Sequence, residues 1–201
     1  MNGYPGKRLF DLIITIPILI LTSPIMLVLA ILVRVKMGSP IIFRHQRPGL
    51  HSAPFTMLKF RTMTNATDND GNLLHDLHRI TPFGEWLRRT SFDELPQFIN
   101  VLKGDMSLIG PRPLLMKYLE LFTPEQARRH EVRPGITGWA QVSGRNDTNW
   151  EERFSRDIWY VDHCSFVLDC RIIFLTIKTV LTSDTSVEKE HKLGEFKGWS
   201  N

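Results

Sequence analysis

The chain has 201 residues, 42% hydrophobic and 23% charged, a size and mix that point to one folded domain with at most an added segment and exclude disorder, collagen and coiled coil. Two cysteines, Cys164 and Cys170, cannot build a disulfide framework, and no Cys/His set has zinc-finger spacing, so a reduced, cytoplasm-facing setting is expected. The net charge of +4 favours anionic partners (phosphates, lipid headgroups or nucleic acid) without choosing among them.

A mean hydropathy of −0.13 conceals one uneven feature: Leu12 to Val33 carries no ionisable residue. As a straight helix this run would rise about 33 Å, enough to cross a hydrocarbon core of about 30 Å. Thr22, Ser23 and Pro24 sit at its midpoint, where proline removes a backbone donor and a hydroxyl can satisfy the freed carbonyl, so a bend at Ser23 and Pro24 is expected. Lys7 and Arg8 precede the run, and Arg34, Lys36, Arg44 and Arg47 follow it. Basic residues at both ends read as cytoplasmic, which a helix hairpin dipping into one leaflet satisfies and a single span does not. An ordinary kinked span stays open as the plainer reading. A cleaved signal peptide is disfavoured, because the run exceeds a typical h-region and no A-x-A-like site follows.

After the turn at Gly38 to Pro40, Ile41 to Phe43 and Phe55 to Leu58 read as short strands around a basic loop, Arg44 to Gly49. Asn65 to Asn72 reads as a surface loop, since alignment to a calcium loop puts Ala66 and Leu77 at ligand positions. His75 and His78 beyond it read as solvated. Helical spacing covers Pro82 to Arg89, Glu94 to Leu102, Leu114 to Phe122 and Glu125 to His130. Phe166 to Leu181 carries too many charges for a clean span and fits a core or interfacial helix. The polar tail from Ser183 ends in Phe196 and Trp199, a loose end or an interfacial anchor.

Three clusters carry chemistry. In Arg88 to Gln97, Asp93 and Glu94 lie within a few residues of two arginines. Ser91 and Glu94 match a capping box, but Pro96 would then break a helical hydrogen bond, so the helix should start near Asp93. There the helix end and the arginines would favour the ionised carboxylate, ready to bind a cation or attack phosphorus; capping and catalysis both remain open. Ser107 to Pro113 sets Arg112 between two prolines, either as a phosphate fork or as a solvated residue on a rigid turn. Arg133 to Arg145 holds three glycines able to present N–H groups to an anion, and Trp139, which either stacks on a ligand or packs in the core. Lys59 and Arg61 add two cations. Phosphate-binding loop, dinucleotide, zincin and nucleophile-elbow motifs are missing, and the dispersed basic residues without aromatic platforms fit nucleic acid poorly.

KFRTM (59–63), RTSFDELPQ (89–97), SLIGPRP (107–113) and RPGITGWAQVSGR (133–145) stand in this order, and in them the chain resembles the bacterial sugar transferases, the monotopic phosphoglycosyl transferases. It resembles their minimal form, without the extra transmembrane helices of larger relatives. His163 and Cys164 depart from the family pattern without touching a proposed catalytic group. The resemblance implies a mixed α/β, mostly helical fold. A re-entrant membrane helix-break-helix (1–38) would precede a small cytoplasmic catalytic domain (39–182) with short strands and interfacial amphipathic helices, and a tail (183–201) would follow. It implies an enzyme on the cytoplasmic face of the bacterial inner membrane that moves a phosphosugar from a UDP-sugar to polyprenol (undecaprenyl) phosphate, releasing UMP. Magnesium is the implied cofactor and downstream glycosyltransferases of glycoprotein assembly are implied partners; nucleic acid is not. Asp93 would be the nucleophile of a covalent aspartyl-phosphosugar and a magnesium ligand. Glu94 would assist by positioning metal or arginine, and Lys59, Arg88, Arg112 and Arg145 would clamp phosphate. The sugar is not spelled out by these motifs; an N-acetylated, bacillosamine-type sugar is analogy with relatives. Two other readings stand beside this one: a non-catalytic membrane-moored module for anionic headgroups, and a glycosyltransferase releasing UDP.

Overall fold

A computed structural model describes residues 3–143 and 149–182, together with Gly194, Phe196 and Gly198. The apolar N-terminal run forms a single helix, α1 (Lys7–Met37), long and apolar enough to cross a membrane. It continues through both Pro17 and Pro24, so the expected break is not an interruption of the helix. The carbonyl that Pro24 cannot bond, that of Ile20, accepts instead from the Ser23 hydroxyl at 2.8 Å, and the Thr22 hydroxyl donates to Ile18 at 2.7 Å.

Burial along α1 is confined to its two ends. Lys7, Asp11 and Thr15 are buried at one end and Leu29, Val33 and Met37 at the other, while Ile16, Ile20, Leu21, Ile25, Leu27 and Val28 between them are exposed. Both ends meet the same domain. Phe10 and Ile14 pack against the main core of Met57, Val101, Met106, Leu108, Leu168 and Ile172. Leu29, Val33 and Met37 form a second core with Phe60 and Leu87.

The domain is mostly helical with two small sheets. Strands β1 (Ile42–Pro48) and β2 (Pro54–Phe60) pair antiparallel, with Ile42 opposite Phe60, so Arg44 and Arg47 lie in a strand and not in the expected basic loop. Alternation along β2 puts Phe55, Met57 and Lys59 on one face, the first two in the main core and Lys59 half-buried at its end. Asn65 to Asn72 is an exposed loop closed by a bridge between Thr67 and Leu73, followed by the short α2 (Asp76–Arg79).

Helix α3 (Pro82–Arg89) has the expected bounds; Thr81 caps it by accepting from Gly84 N. Its successor, α4 (Gln97–Lys103), begins later than expected, because Pro96, lacking an N–H, sits at its N-cap. Residues Phe92–Glu94 form a single 3-10 turn entered through Ser91 at φ 57°, whose side chain makes no cap. Met116–Leu121 is likewise 3-10 and not α. Short α5 (Pro124–Ala127) runs into a further 3-10 turn, Arg128–His130.

Strand β3 (Ser107–Ile109) pairs in parallel with β4 (Gly135–Thr137), followed by α6 (Trp139–Ser143). Helix α7 (Trp150–His163) has no counterpart in the sequence reading: its buried stripe includes Arg153 and Asp157 beside Phe154 and Tyr160, which masks an apolar period. Helix α8 (Phe166–Leu181) buries Leu168, Asp169 and Ile172 and exposes Phe166, Val167, Phe174, Ile177 and Val180. Of the tail, Phe196 is buried against Tyr118, Phe154 and Leu114; Trp199 lies outside the described residues. Cys164 and Cys170 are free thiols.

Candidate active site

Three motifs distant in sequence converge on one carboxylate. Glu94 Oε1 accepts from Lys59 Nζ at 2.7 Å and from Arg112 Nη2 at 2.7 Å. Lys59 reaches the site from the end of β2, Glu94 from the 3-10 turn before α4, and Arg112 from the loop after β3. Asp93, next to Glu94, is buried with its Oδ2 3.9 Å from Lys59 Nζ, outside hydrogen-bond distance. Arg88, one turn back on α3, donates through Nε to the Thr62 hydroxyl at 2.9 Å, and its charge is felt at Asp93. Of the predicted site residues, Lys59, Arg88, Asp93, Glu94 and Arg112 are thus brought together, while Arg145 lies outside the described residues.

The two adjacent acids differ in character. Burial pushes the Asp93 carboxyl up to about 6 from its usual 3.8; Lys59, Arg112 and Arg88 oppose the rise and the Glu94 charge adds to it. This corrects the expectation that the surroundings favour ionised Asp93: desolvation outweighs the cations. Glu94 is also penalised by burial, but Arg112 and Lys59 overcome that penalty and hold its carboxyl well below the usual carboxylate range. Neighbours of one sequence position therefore divide into a raised carboxyl near neutrality and a permanently charged one.

Of the three glycines in the 133–145 motif, Gly135 and Gly138 serve close backbone packing, and Gly144 lies outside the described residues. A Cβ on Gly135 would lie 2.1 Å from Gly110 N, and one on Gly110 2.2 Å from Arg133 O. Their absence lets β4 cross beside β3 and close Gly110 N–H on Thr137 O at 3.0 Å and Gly135 N–H on Pro111 O at 3.1 Å, which sets the loop that carries Arg112. Trp139 packs on Trp159, centroids 5.1 Å apart, with the Arg171 guanidinium 5.6 Å from its ring. Arg61 serves structure: it donates to Ser39 O and Met63 O, both at 2.7 Å.

Sequence reading missed a second charged centre that joins α1 to the domain. Lys7 Nζ lies 2.7 Å from Asp169 Oδ2 and 3.0 Å from Asp11 Oδ1, and Asp11 Oδ1 accepts from the Ser107 hydroxyl and Leu108 N at 3.0 and 3.2 Å. The phenols of Tyr4 and Tyr160 donate to Asp169 at 3.1 and 2.7 Å. Burial, with the Asp169 charge, pushes both phenols far up, so they remain donors. Arg8 donates to the carbonyls of Val101 and Leu102. The two basic residues ahead of the apolar run are therefore internal anchors, a role that residue type alone does not signal.

Among the described residues no group of three or more His, Cys, Asp or Glu could enclose a metal ion. A cation held here would have to take most of its ligands from elsewhere. Glu94 Oε1 is taken by two cations, which leaves Asp93 as the carboxylate open to such an ion, with phosphate oxygens and water completing the shell as magnesium prefers.

A family model described as bacterial sugar transferase matches residues 3–183. The chain is 56% identical over 189 residues to EpsL of Bacillus subtilis (strain 168), itself an uncharacterised sugar transferase, covering 94% of both chains. It is 41% identical over 196 residues to the undecaprenyl-phosphate galactose phosphotransferase of Salmonella typhimurium, covering 89% of this chain and 41% of that protein. It is 39% identical over 187 residues to the UDP-N-acetylgalactosamine-undecaprenyl-phosphate N-acetylgalactosaminephosphotransferase of Aeromonas hydrophila, covering 88% of this chain and 44% of that one. The chain thus spans less than half the length of these two relatives.

Proposed function

The chain belongs to the bacterial sugar transferase family and is a transferase, and from that membership and the Lys59, Asp93, Glu94 and Arg112 cluster we propose that it moves a phosphosugar from a UDP-sugar to polyprenol phosphate. The observation that carries the reading is the contrast between the two acids: one carboxyl without a hydrogen bond among the described residues and with a raised affinity for protons, the other held ionised by two cations. A raised carboxyl is more nucleophilic than a surface carboxylate yet still mostly ionised at pH 7.

In this reading an Asp93 carboxylate oxygen attacks the sugar-bearing phosphorus. The bond from that phosphorus to the bridging oxygen breaks, and UMP departs with the electron pair. An oxygen of the polyprenol phosphate then attacks the same phosphorus, displaces the Asp93 carboxylate and yields the polyprenyl-diphosphate-sugar. No proton transfer is required at either step, so Glu94, held far below neutrality, is not needed as a base; it fixes Lys59 and Arg112 toward the diphosphate. Magnesium, held by Asp93, would offset charge on the diphosphate. Arg88 and Arg145 complete the proposed phosphate clamp, Arg88 steadied by Thr62.

A monotopic placement on the cytoplasmic face accompanies the chemistry. A straight 31-residue helix would be about 46 Å long, yet both ends of α1 pack on one small domain and only its middle is bare. That pattern supports a continuous helix bent near Ser23 and Pro24 with both ends returning to one face, which would seat the site at the depth of the acceptor's phosphate. The apolar exposed face of α8 supports an interfacial seat for the domain.

The test is donor with and without polyprenol phosphate. UMP release marks phosphosugar transfer, UDP a glycosyltransferase, and neither a binding module. Asp93→Asn should fold and lose about a thousandfold or more in turnover, and donor alone should leave a phosphosugar on the Asp93 peptide of the wild type. Full activity in Asp93→Asn would remove Asp93 as nucleophile.

A further inference from the structure

We propose that Arg129 and Asp157, neither of which faces the reacting groups, are positioning residues that set Arg112 through its main-chain carbonyl. This rests on the donor-clamping role of Arg112 proposed above and extends it.

Arg129 and Asp157 are 2% and 3% exposed, an ion pair in the interior. The Arg129 Nη2 donates to Asp157 Oδ2 at 2.6 Å and to the carbonyl oxygen of Arg112 at 2.8 Å, and Nε donates to the same Asp157 oxygen at 3.2 Å. Phe122 and Phe154 hold the guanidinium from the sides, each ring centroid 5.7 Å away. Replacing a buried pair by apolar residues is often neutral or stabilising, so stability is a weak account of this one. What the pair does geometrically is specific. Arg112 stands between Pro111 and Pro113, which supply no N–H; Pro111 O is held by Gly135 N–H and Arg112 O by Arg129. Two successive carbonyls are thereby pinned, and the Arg112 side chain leaves from a backbone that cannot rotate, reaching Glu94 Oε1 at 2.7 Å. The planar fork of arginine serves both acceptors at once; a lysine ammonium, a point charge on a flexible stem, holds neither at that angle.

The sequence of contacts predicts a dependence that a merely structural pair would lack: substitutions of Arg129 or Asp157 act only while Arg112 is there to be positioned. Full-length Arg129→Lys, Asp157→Asn, Arg112→Ala and the two double variants are compared by calorimetric affinity for the UDP-sugar, by UMP release and by thermal melting. Arg129→Lys, which keeps the charge, is expected to weaken donor affinity and raise KM about tenfold with the melt retained, and Asp157→Asn, which leaves the Arg129 charge buried without its carboxylate, to do the same with a lowered melt. In the Arg112→Ala background each should add less than twofold, the non-additivity of groups acting as one. Tenfold losses that persist in that background would overturn the proposal, as would failure of both single variants to fold. If the wild type binds donor but releases no UMP, the reaction proposed above fails instead, and the affinity cycle still decides the role of Arg129 and Asp157.

Discussion

Asp93, the proposed nucleophile, works against the fold that holds it. Its carboxyl sits at about 6 in the folded chain against 3.8 when unfolded, so between those values the native state binds more protons. Stability therefore falls as pH rises from about 4 to about 6, and the full cost of burying the charge, about 3 kcal/mol, is present above that window. Asp93→Asn should then melt higher than wild type at pH 7.5, with the difference shrinking toward pH 4; equal melting at both pH values would show that Asp93 is not strained. Activity should follow the opposite course. With the carboxylate as the reacting form, kcat/KM for the donor should fall about tenfold per pH unit below about 6, and a pH-independent rate from 5 to 8 would contradict the Asp93 assignment. The motif RTSFDELPQ makes Asp93 and Glu94 stand out in the sequence. It does not reveal that they titrate differently, because that depends on Lys59 and Arg112, which arrive from 34 residues upstream and 18 residues downstream of the pair.

At the scale of elements, the legible parts are those whose neighbours in sequence supply their stabilisation. Helix α3 has its cap, its proline start and its apolar stripe within one short stretch, and its expected bounds match; α8 does too. The start of α4 was displaced by a local rule applied one step too early: Pro96 does end the preceding turn, but the chain first spends Phe92–Glu94 in a 3-10 turn that projects both acids. The parallel pair β3 and β4 was illegible, since three-residue strands carry no usable period and their partnership is set by glycines meeting backbone to backbone. Gly135→Ala should consequently separate the strands and disturb the Arg112 loop. We expect a destabilisation of about 2 to 4 kcal/mol by chemical denaturation, with donor binding lost before the fold. An unchanged denaturation midpoint would show that the crossing tolerates a methyl group.

For the whole molecule, the arrangement of α1 decides where the chemistry takes place. Lys7, Asp11 and Asp169 tie its start to β3 and α8, and Leu29, Val33 and Met37 tie its end to Phe60 and Leu87. The apolar middle is the part left for lipid. In cells, with Cys164 and Cys170 replaced by serine, Pro5→Cys and Lys36→Cys should both resist a membrane-impermeant thiol reagent applied from outside and both react after permeabilisation. Labelling of either from outside would exclude the hairpin. Adding Pro24→Ala restores an N–H for the Ile20 carbonyl, and should shift part of the population toward a straight span with the two ends on opposite sides.

The length, the apolar run with Ser23 and Pro24 at its middle, the basic flanks and the four motifs are local facts, and by themselves they determined the family, the expectation of a membrane segment and the candidates for the site. Their physical basis is covalent order: a proline, a cap or a run without charges acts on the residues beside it. Only the tertiary structure decided that Glu94 is held ionised by two cations while Asp93 is raised, that Lys7 is a buried anchor, that Gly135 and Gly138 allow the close backbone approach at Gly110, and that Arg129 and Asp157 lie behind Arg112. Each of these rests on desolvation or on a contact between distant segments, and burial does not exist until the chain has folded.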